Sequence, residues 1–392
     1  MRVFQRPARP ILIAALSGRA LACSAQAASL PVAVLDVFGD IDMRACADDW
    51  ARVGDVRSGI DRSLVLEAAE RLCPPHRCGG LVYGAGFEAC PEVLSGLCEG
   101  RELLGNDPGV LARMGSPHAF FGLLAQLGIP YPTTRYRRPE NADDWLAKRA
   151  GASGGGHVRA ARQVADGCGY YFQRKVQGRV MSVLFLANGR EARMIGISEQ
   201  WNAALKAQPY SYGGAVSDQP VSQRLRAELN FAIEALVEPV ELRGLNSMDL
   251  VVAGDEFQVL EINARPTATA ELYDRARRTS LFELHVQACR GHALPHCRPA
   301  GRRRYGHLLV YAERGLRMRR GFQWPDWCSD RPPAQTRIGA GEPLCTVHAS
   351  GSNRAELCGL LERRSRAVSG VLQAAARPPR VQRMAESSPC RL

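Results

Sequence analysis

Two apolar segments that carry acidic side chains constrain this chain more than any other feature. The segment 246–252 reads Asn-Ser-Met-Asp-Leu-Val-Val, and the segment 258–266 reads Gln-Val-Leu-Glu-Ile-Asn-Ala-Arg-Pro. Both have the apolar content of buried strands, yet Asp249 stands in the first and Glu261 in the second. A buried acid is costly unless a cation or hydrogen-bonding group accompanies it. The pair therefore predicts two neighbouring strands with a shared polar site.

The spacing of the polar residues indicates which chemistry this site could perform. Glu261 and Asn263 are two positions apart, so on a strand both point to one face. If the strands pair through a turn at 254–255, Asp249 falls beside them. Hard oxygen ligands of this kind suit Mg²⁺, which takes few carboxylates together with substrate phosphates. Arg265 would then lie next to the metal and could hold a phosphate or a developing oxyanion; a hairpin closed by salt bridges is the alternative.

A glycine-rich segment, Gly-Ala-Ser-Gly-Gly-Gly at 151–156, follows Lys148. Such a segment leaves backbone N–H groups free to converge on phosphate oxygens, and the lysine adds a positive charge. No Gly-Lys-Ser or Gly-Lys-Thr closes it, so it is not a Walker loop. A flexible surface loop is an equally valid interpretation.

Further along, the segments 170–176 and 182–187 predict a hairpin that turns at Gly178. Its polar side chain Gln173 and the adjacent backbone could read the polar edge of an adenine, although an ordinary antiparallel hairpin explains the same pattern. The segment 210–214, Tyr-Ser-Tyr-Gly-Gly, is either a substrate loop or a mobile linker.

Strands and helices alternate up to about residue 105, which is typical of a small parallel α/β layer. Predicted strands are 11–16, 32–37 and 80–83, and predicted helices are 19–28, 63–72 and 91–97. Asp36 and Asp40 follow a strand at the sheet edge where ligands of open sheets gather. Helix capping is the alternative role for them.

We divide the chain into four regions. They are an α/β domain at 1–105, a central domain at 106–300, a small β-rich domain with a terminal helix at 301–376, and a disordered tail at 377–392. In the central domain we expect helices at 116–127, 141–146 and 222–236, with strands between and after them.

Composition narrows the class of protein. Hydrophobic residues make up 46% and charged residues 23% of 392 residues, as in a globular protein, and no apolar run is long enough to span a bilayer. The net charge of +12 favours anionic ligands, but no nucleic-acid-binding motif is present. We expect small-molecule substrates, no nucleic acid, no membrane, and a cytoplasmic location; a homo-oligomer is allowed.

The N-terminal segment and the cysteines each allow more than one interpretation. Arginines before the apolar run 11–16 imitate a signal peptide, but a buried strand is the better interpretation because Arg19 ends the run. The 13 cysteines are scattered and odd in number, so we expect reduced thiols. A metal cluster of Cys289, His292, His296 and Cys297 is disfavoured because Pro295 bends the chain there.

Three features resemble the ATP-grasp superfamily in their order along the chain. They are the glycine-rich segment at 151–156, the strand at 170–176, and the Asp…Glu-x-Asn-x-Arg-Pro pattern at 249–266. The resemblance covers about residues 10–350. It implies an ATP-grasp fold: a Rossmann-like N-terminal domain, two α+β subdomains that clasp ATP, and a small C-terminal domain. Shorter segments resemble a narrower family of carboxylate–amine ligases, which includes the tyramine–glutamate ligase of methanofuran synthesis and related proteins of methylofuran synthesis and one-carbon metabolism. These segments are 16–22, 35–40, 185–189 and 343–347.

The resemblance implies an ATP- and Mg²⁺-dependent ligase that forms an acyl phosphate and then an amide, with glutamate and tyramine, or a similar amine, as the candidate substrates. In this scheme Arg265 is catalytic. The implied ATP-binding residues are Lys148, Gly154, Gly155, Gly156, Gln173, Lys175 and Val176. Asp249, Glu261 and Asn263 are the implied metal ligands, and Tyr212, Gly213 and Gly214 the candidate substrate residues.

Two departures from the family pattern keep other functions open. No lysine precedes the helix that starts at Ser116, and Val180 stands where many members place a glutamate for the ribose. A carboxylase, a kinase, or a degenerate nucleotide-binding scaffold are the alternatives. No biotin-attachment lysine is visible, which disfavours a carboxylase.

Overall fold

The computed structural model describes residues 9–165, 167, 169–276, 279–295 and 303–374. The N-terminal part is a parallel sheet with strand order β3-β2-β1-β6, covered by helices. Its elements are β1 (Ile11–Ala14), α1 (Arg19–Ala27), β2 (Val32–Asp36), α2 (Ile41–Cys46), β3 (Asp49–Arg52), β4 (Gly54–Asp55), β5 (Gly59–Ile60), α3 (Arg62–Leu72), β6 (Leu81–Tyr83) and α4 (Pro91–Cys98). Every residue of β1 and β2 is buried, which explains their continuous apolar sequences. The predicted alternation of strands and helices is confirmed.

The next part contains a small sheet with strand order β7-β10-β8-β9. Its elements are α5 (Pro108–Gly115), α6 (Pro117–Gln126), β7 (Thr134–Arg135), β8 (Trp145–Arg149), β9 (Arg159–Ala160) and β10 (Tyr170–Arg174). The helix predicted at 141–146 is wrong. The backbone from Trp145 onward instead pairs antiparallel with β10, a distant partner that local composition does not reveal.

An eight-stranded sheet with order β15-β14-β11-β12-β13-β16-β20-β18 forms the rest of the molecule. Its elements and neighbours are β11 (Arg179–Asn188), β12 (Ala192–Asn202), β13 (Tyr212–Val216), α7 (Gln223–Val240), β14 (Arg243–Ala253), β15 (Glu256–Asn263), α8 (Ala270–Asp274), α9 (Leu281–Cys289), β16 (Arg304–Tyr311), β17 (Leu316–Arg317), β18 (Cys328–Ser329), β19 (Arg337–Ile338), β20 (Pro343–Gly351) and α10 (Arg354–Ala374). Helix α7 begins at the cap Ser222, whose hydroxyl accepts from the Leu225 N–H, and packs Leu229, Ile233 and Leu236 into the main core.

Three of the strands described beyond residue 303, namely β16, β18 and β20, belong to this same sheet, since β16 pairs with β13 over Gly306–Leu308 and with β20 along its length; β17 and β19 form a separate two-stranded sheet. The region predicted as a small β-rich domain therefore continues the central sheet. The tail predicted at 377–392 lies outside the described residues.

One pair of cysteines departs from the expectation of reduced thiols. Cys23 of α1 and Cys46 of α2 form a disulfide, with their Cα atoms 5.1 Å apart. The two helices are neighbours on one face of the parallel sheet, which sequence spacing could not show. The other cysteines within the described ranges are free.

None of the helices that the structure describes is long and apolar enough to cross a membrane.

The buried His285 links the N-terminal layer to the eight-stranded sheet. The Nδ1 of His285 in α9 accepts a hydrogen bond from the Leu245 N–H at 2.8 Å, and its Nε2 lies 2.9 Å from the Leu104 carbonyl oxygen. Because Nδ1 is an acceptor, the ring is neutral and Nε2 is the donor. Burial lowers the pKa of His285 from 6.5 to about 4.

This pKa predicts acid sensitivity. Below pH 6.5 the unfolded chain takes a proton at His285 but the folded chain does not until about pH 4, so the free energy of unfolding falls across this interval. In His285→Gln the dependence should be shallower by up to about 1.4 kcal/mol per pH unit, measured by urea unfolding. The exposed His76→Gln should keep the original slope. An unchanged slope in His285→Gln would contradict the assignment.

Candidate active site

The acidic strands β14 and β15 pair antiparallel and place Asp249 directly opposite Glu261. A bulge after this pair makes Leu250 oppose Val259, so Leu260 is the extra residue on β15. The bulge switches the face that alternate side chains occupy, because Val259 before it and Ile262 after it are both buried. Glu261 and Asn263 consequently lie on the face that carries Asp249, as the spacing predicted.

Amide groups surround the two carboxylates. The Asn263 Nδ2 donates to Asp249 Oδ2 at 3.2 Å and to Glu261 Oε1 at 3.3 Å, and the Gln200 Nε2 donates to Asp249 Oδ1 at 3.3 Å. Burial, and next the neighbouring Glu261, raise the pKa of Asp249 to about 7. The protein itself therefore does not fully compensate the charge of the pair.

These residues fit a magnesium ion. Asp249 and Glu261 provide hard oxygen donors, and the raised pKa of Asp249 indicates that the site favours an added positive charge. The Asn263 amide turns its nitrogen to the carboxylates and its oxygen to Arg265, so it would have to rotate to become a third ligand. A cluster of three His, Cys, Asp or Glu side chains suited to a metal does not occur among the described residues. Two carboxylates match an ion that takes its remaining ligands from substrate phosphates and water.

Lys148 lies on β8 and faces the same site. Its Nζ donates to the Gln173 Oε1 at 2.7 Å, and the Gln173 Nε2 donates to the Thr134 hydroxyl at 3.3 Å. Burial lowers the pKa of Lys148, while the carboxylates of Glu261 and Asp249 oppose this shift. The structure thus brings the predicted lysine, amide and acids together.

The glycine-rich segment packs against the chain that precedes β13. Gly154 and Gly155 have positive φ, and a Cβ on Gly155 would lie 1.9 Å from the Tyr210 carbonyl oxygen. The Tyr212 N–H donates to the Gly154 carbonyl at 3.1 Å. Gly156 follows, with its carbonyl held by the Arg159 guanidinium at 2.7 Å. Glycine is required at 155 by both its conformation and this close approach.

The other predicted nucleotide residues lie at the end of β10. The side chain of Lys175 is exposed, its N–H donates to the Asp144 carbonyl at 2.8 Å, and Val176 is half-buried. Their contact with an adenine stays a prediction.

The segment 210–214, predicted as a substrate loop or a mobile linker, is a strand from Tyr212 onward. Tyr212–Val216 is β13, a strand inside the eight-stranded sheet. The Tyr212 hydroxyl lies 2.6 Å from the His307 Nε2, and burial, with Asp249 next, raises the pKa of Tyr212. A Cβ on Gly213 would meet the backbone at Asn202, and one on Gly214 would meet the His307 carbonyl, so both glycines permit close strand packing. A substrate role for these residues stays a prediction.

Arg265 connects β15 to the N-terminal layer. Its Nη2 donates to the Asn263 Oδ1 at 3.1 Å, and its Nε donates to the Glu88 Oε1 at 2.6 Å. The guanidinium is 7% exposed, so its position is fixed by packing and by these bonds. It lines a cavity of about 60 Å³ beside the glycine-rich segment.

Arg265 also lines a larger cavity of about 310 Å³, between the carboxyl ends of the parallel strands and the eight-stranded sheet. Ser17, Asp40 and Gly84 contribute from the parallel sheet, and Thr346 contributes from β20. Arg265 is therefore part of the wall of both cavities.

A buried ion cluster holds this larger cavity together. Arg19 of α1 contacts both carboxylate oxygens of Glu271 in α8 at 2.5 and 2.7 Å, and those of Asp330 at 2.9 and 3.2 Å. Arg19 is 5% exposed. These paired contacts fix the parallel sheet against the C-terminal strands.

Sequence reasoning missed several site residues. They are Gln200, Glu88 and Thr134, which come from three separate segments, and each contacts a predicted site residue. None belongs to a short motif, so no local signal indicates them. Asp40 is different, because its place after a strand marked it as a ligand candidate.

Comparisons with known proteins agree with this geometry. Residues 119–269 match the family model of the ATP-grasp domain. No curated protein matches the chain. Biotin carboxylase from Campylobacter jejuni, solved with βγ-ATP, is similar at 12% identity and a TM-score of 0.69, over 89% of each chain.

Two further solved structures are similar. L-amino acid ligase from Bacillus licheniformis has 12% identity and a TM-score of 0.67, over 92% of this chain and 98% of that one. The biotin carboxylase domain of 2-oxoglutarate carboxylase from Hydrogenobacter thermophilus, solved with MgADP and bicarbonate, has 10% identity and a TM-score of 0.68, over 91% and 88%. The chain has an ATP-grasp fold, as its motifs predicted.

The half-buried Lys148 provides a test of nucleotide binding. Lys148→Met should weaken ATP affinity about 10- to 100-fold, because a charge-assisted hydrogen bond to a phosphate contributes about 1.5–3 kcal/mol. Calorimetric titration with Mg-ATP measures the change. Lys206→Met is the matched control, since Lys206 is exposed and outside the site. Equal affinity in the two variants would remove Lys148 from the site.

Proposed function

We propose that this protein is an ATP- and Mg²⁺-dependent carboxylate–amine ligase that works through an acyl phosphate. The observation that carries the proposal is the position of Arg265. Its guanidinium bonds to Asn263 of the candidate metal site and also lines the larger cavity. A substrate carboxylate phosphorylated beside Arg265 would therefore face a cavity that can hold the second substrate.

Separate groups of residues would bind the nucleotide and the metal ion. Lys148 and the segment 154–156 would bind the phosphates of ATP, and Gln173 with the end of β10 would bind the adenine. Asp249, Glu261 and Asn263 would hold Mg²⁺, which when bound neutralises phosphate oxygens.

Arg265 would hold the transferring phosphoryl group while the substrate carboxylate attacks it. Catalysis of this kind depends on positioning and on charge neutralisation. A buried guanidinium held by Glu88 is pre-oriented for this, since little rotamer freedom remains to be lost.

The finer proposal is that glutamate is joined to tyramine, or to a similar amine, in cofactor synthesis of the methylofuran type within the cytoplasm. Of the four short segments on which the narrower resemblance rests, three contribute to the larger cavity. They are 16–22, 35–40 and 343–347. Residues near a substrate cavity are those expected to distinguish one ligase from another.

A carboxylase is the second candidate, because structures similar to this chain include biotin carboxylases. The two reactions differ in the acid that is phosphorylated. A carboxylase would use bicarbonate, so its ADP release would require bicarbonate and no amino-acid carboxylate. The cavity of about 310 Å³ beside Arg265 favours a larger organic substrate.

The direct experiment is to incubate the protein with Mg-ATP, glutamate and tyramine, and to measure ADP, phosphate and amide. A panel of other amino acids and amines, and a bicarbonate arm, belong in the same assay. We expect amide and ADP to form in equal amounts. ADP that depends only on bicarbonate would indicate the carboxylase, and no turnover with any pair would contradict the ligase.

Asp249→Asn tests the metal site within this activity. The change removes a negative charge from the ion's ligands without changing shape, so kcat should fall at least about 100-fold. Asp255→Asn is the matched control, because Asp255 is exposed in the turn between the same two strands. Retained turnover in Asp249→Asn would argue against metal-assisted ligation.

A further inference from the structure

One carboxyl in the larger cavity has no use in the scheme above. Asp40 follows β2 and directly precedes α2, and it is 3% exposed. Its side chain does not cap the helix, although residues at this position commonly do. It forms part of the wall of the 310 Å³ cavity.

The other acids of the cavity wall all have partners. Glu271 and Asp330 bind Arg19, Asp274 accepts from the Leu281 N–H at 2.7 Å, and Glu342 accepts from the Arg57 guanidinium at 2.9 Å. Asp40, in contrast, makes no side-chain hydrogen bond or ion pair with any described part of the chain. Among the described residues, this buried carboxyl has no hydrogen-bond or ion-pair partner, and it lies in the wall of an internal cavity.

The negative charges around Asp40 make an ionised carboxylate at this position still more costly. Asp330, Asp36 and Asp42 act on it unfavourably, and Arg19, the nearby cation, is already engaged by two other carboxylates. Burial first, and then these acids, raise the pKa of Asp40 to about 9. A positively charged ligand would supply the missing partner.

The rest of the wall indicates what else such a ligand carries. Many of the side chains that line the cavity are apolar, among them Leu16, Leu21, Phe38, Phe282, Leu309 and Leu344. An apolar cavity with one unpartnered acid suits a primary amine on an apolar or aromatic body.

We propose that Asp40 binds the ammonium group of the amine substrate and accepts a proton from it before the nitrogen attacks the acyl phosphate. This inference rests on the proposed ligase function. The ammonium gives one proton to an Asp40 oxygen, and the freed lone pair forms the C–N bond. The bond from the carbonyl carbon to the phosphate oxygen breaks, the second nitrogen proton leaves with phosphate, and Asp40 returns its proton to solvent when the amide departs.

With its pKa raised to about 9, the Asp40 carboxyl holds a proton at neutral pH before the amine binds, so the arriving ammonium releases that proton to solvent as it pairs with the carboxylate. Proton transfer is most efficient when donor and acceptor have similar pKa values, and alkyl ammonium groups titrate near the value of lysine, about 10.4. An ordinary surface aspartate would be a much weaker base toward such a group.

Binding is tested first, without ATP. Calorimetry compares tyramine with 4-ethylphenol, which lacks the amino group. Wild type should bind tyramine at least tenfold more tightly, and Asp40→Asn should lose this preference. Asp326→Asn, an exposed acid outside the cavity, should keep it. Equal affinity of wild type for the two compounds would overturn the proposal.

The chemical step is tested with hydroxylamine, which is largely unprotonated at neutral pH and captures acyl phosphates without a base. With glutamate and Mg-ATP, Asp40→Asn should form hydroxamate at the wild-type rate, but its kcat for the tyramine amide should fall about 10²- to 10⁴-fold. Equal losses in both reactions, or no loss in either, would overturn a role in amine activation.

The two tests separate this inference from the proposed function. If no hydroxamate forms in wild type, the ligase proposal fails and the proton transfer fails with it, while calorimetry still shows whether Asp40 binds an ammonium group. If hydroxamate forms in wild type but Asp40→Asn makes the amide normally, the ligase stands and Asp40 has no part in it.

Discussion

The structure is organised around two carboxylates that repel each other. Asp249 and Glu261 face each other across neighbouring strands, and burial strengthens their repulsion. The bulge at Leu260 holds Glu261 on the same face, so the pair cannot separate without loss of strand pairing. Asn263, Gln200 and the half-buried Lys148 relieve part of this cost. The remainder is the physical reason for proposing that a cation binds here.

Arg265 extends this arrangement beyond the strands. Because Glu88 comes from the N-terminal layer, the guanidinium is held by one part of the molecule and contacts the metal ligands of another. The Arg19 cluster connects the same two parts at a second place. Two independent polar links therefore fix the cavity between the layers, and both use bidentate or charge-assisted bonds, which are the most directional available.

Much of this could be predicted from the sequence, and the exceptions share a cause. The strands that carry Asp249 and Glu261 follow from local pattern, because alternation and costly buried acids are visible in short segments. The predictions for β8 and β13 were wrong because β8 pairs with β10 and β13 pairs with β16, partners that lie far along the sequence. The partners Glu88 and Gln200 could not be predicted for the same reason. The disulfide between Cys23 and Cys46 depends on how two helices pack, which no spacing rule gives.

The eight-stranded sheet runs without interruption from the acidic strands to β20 and β18. The proposed metal ligands and part of the larger cavity's wall thus share one hydrogen-bonded framework, while Lys148 and Gln173 lie on the separate four-stranded sheet. A chain cut before β16 would leave β13 as an unprotected edge and would open the cavity to water. In evolution, such a molecule can change its substrate by altering side chains along this framework, but it cannot exchange the C-terminal strands as an independent module.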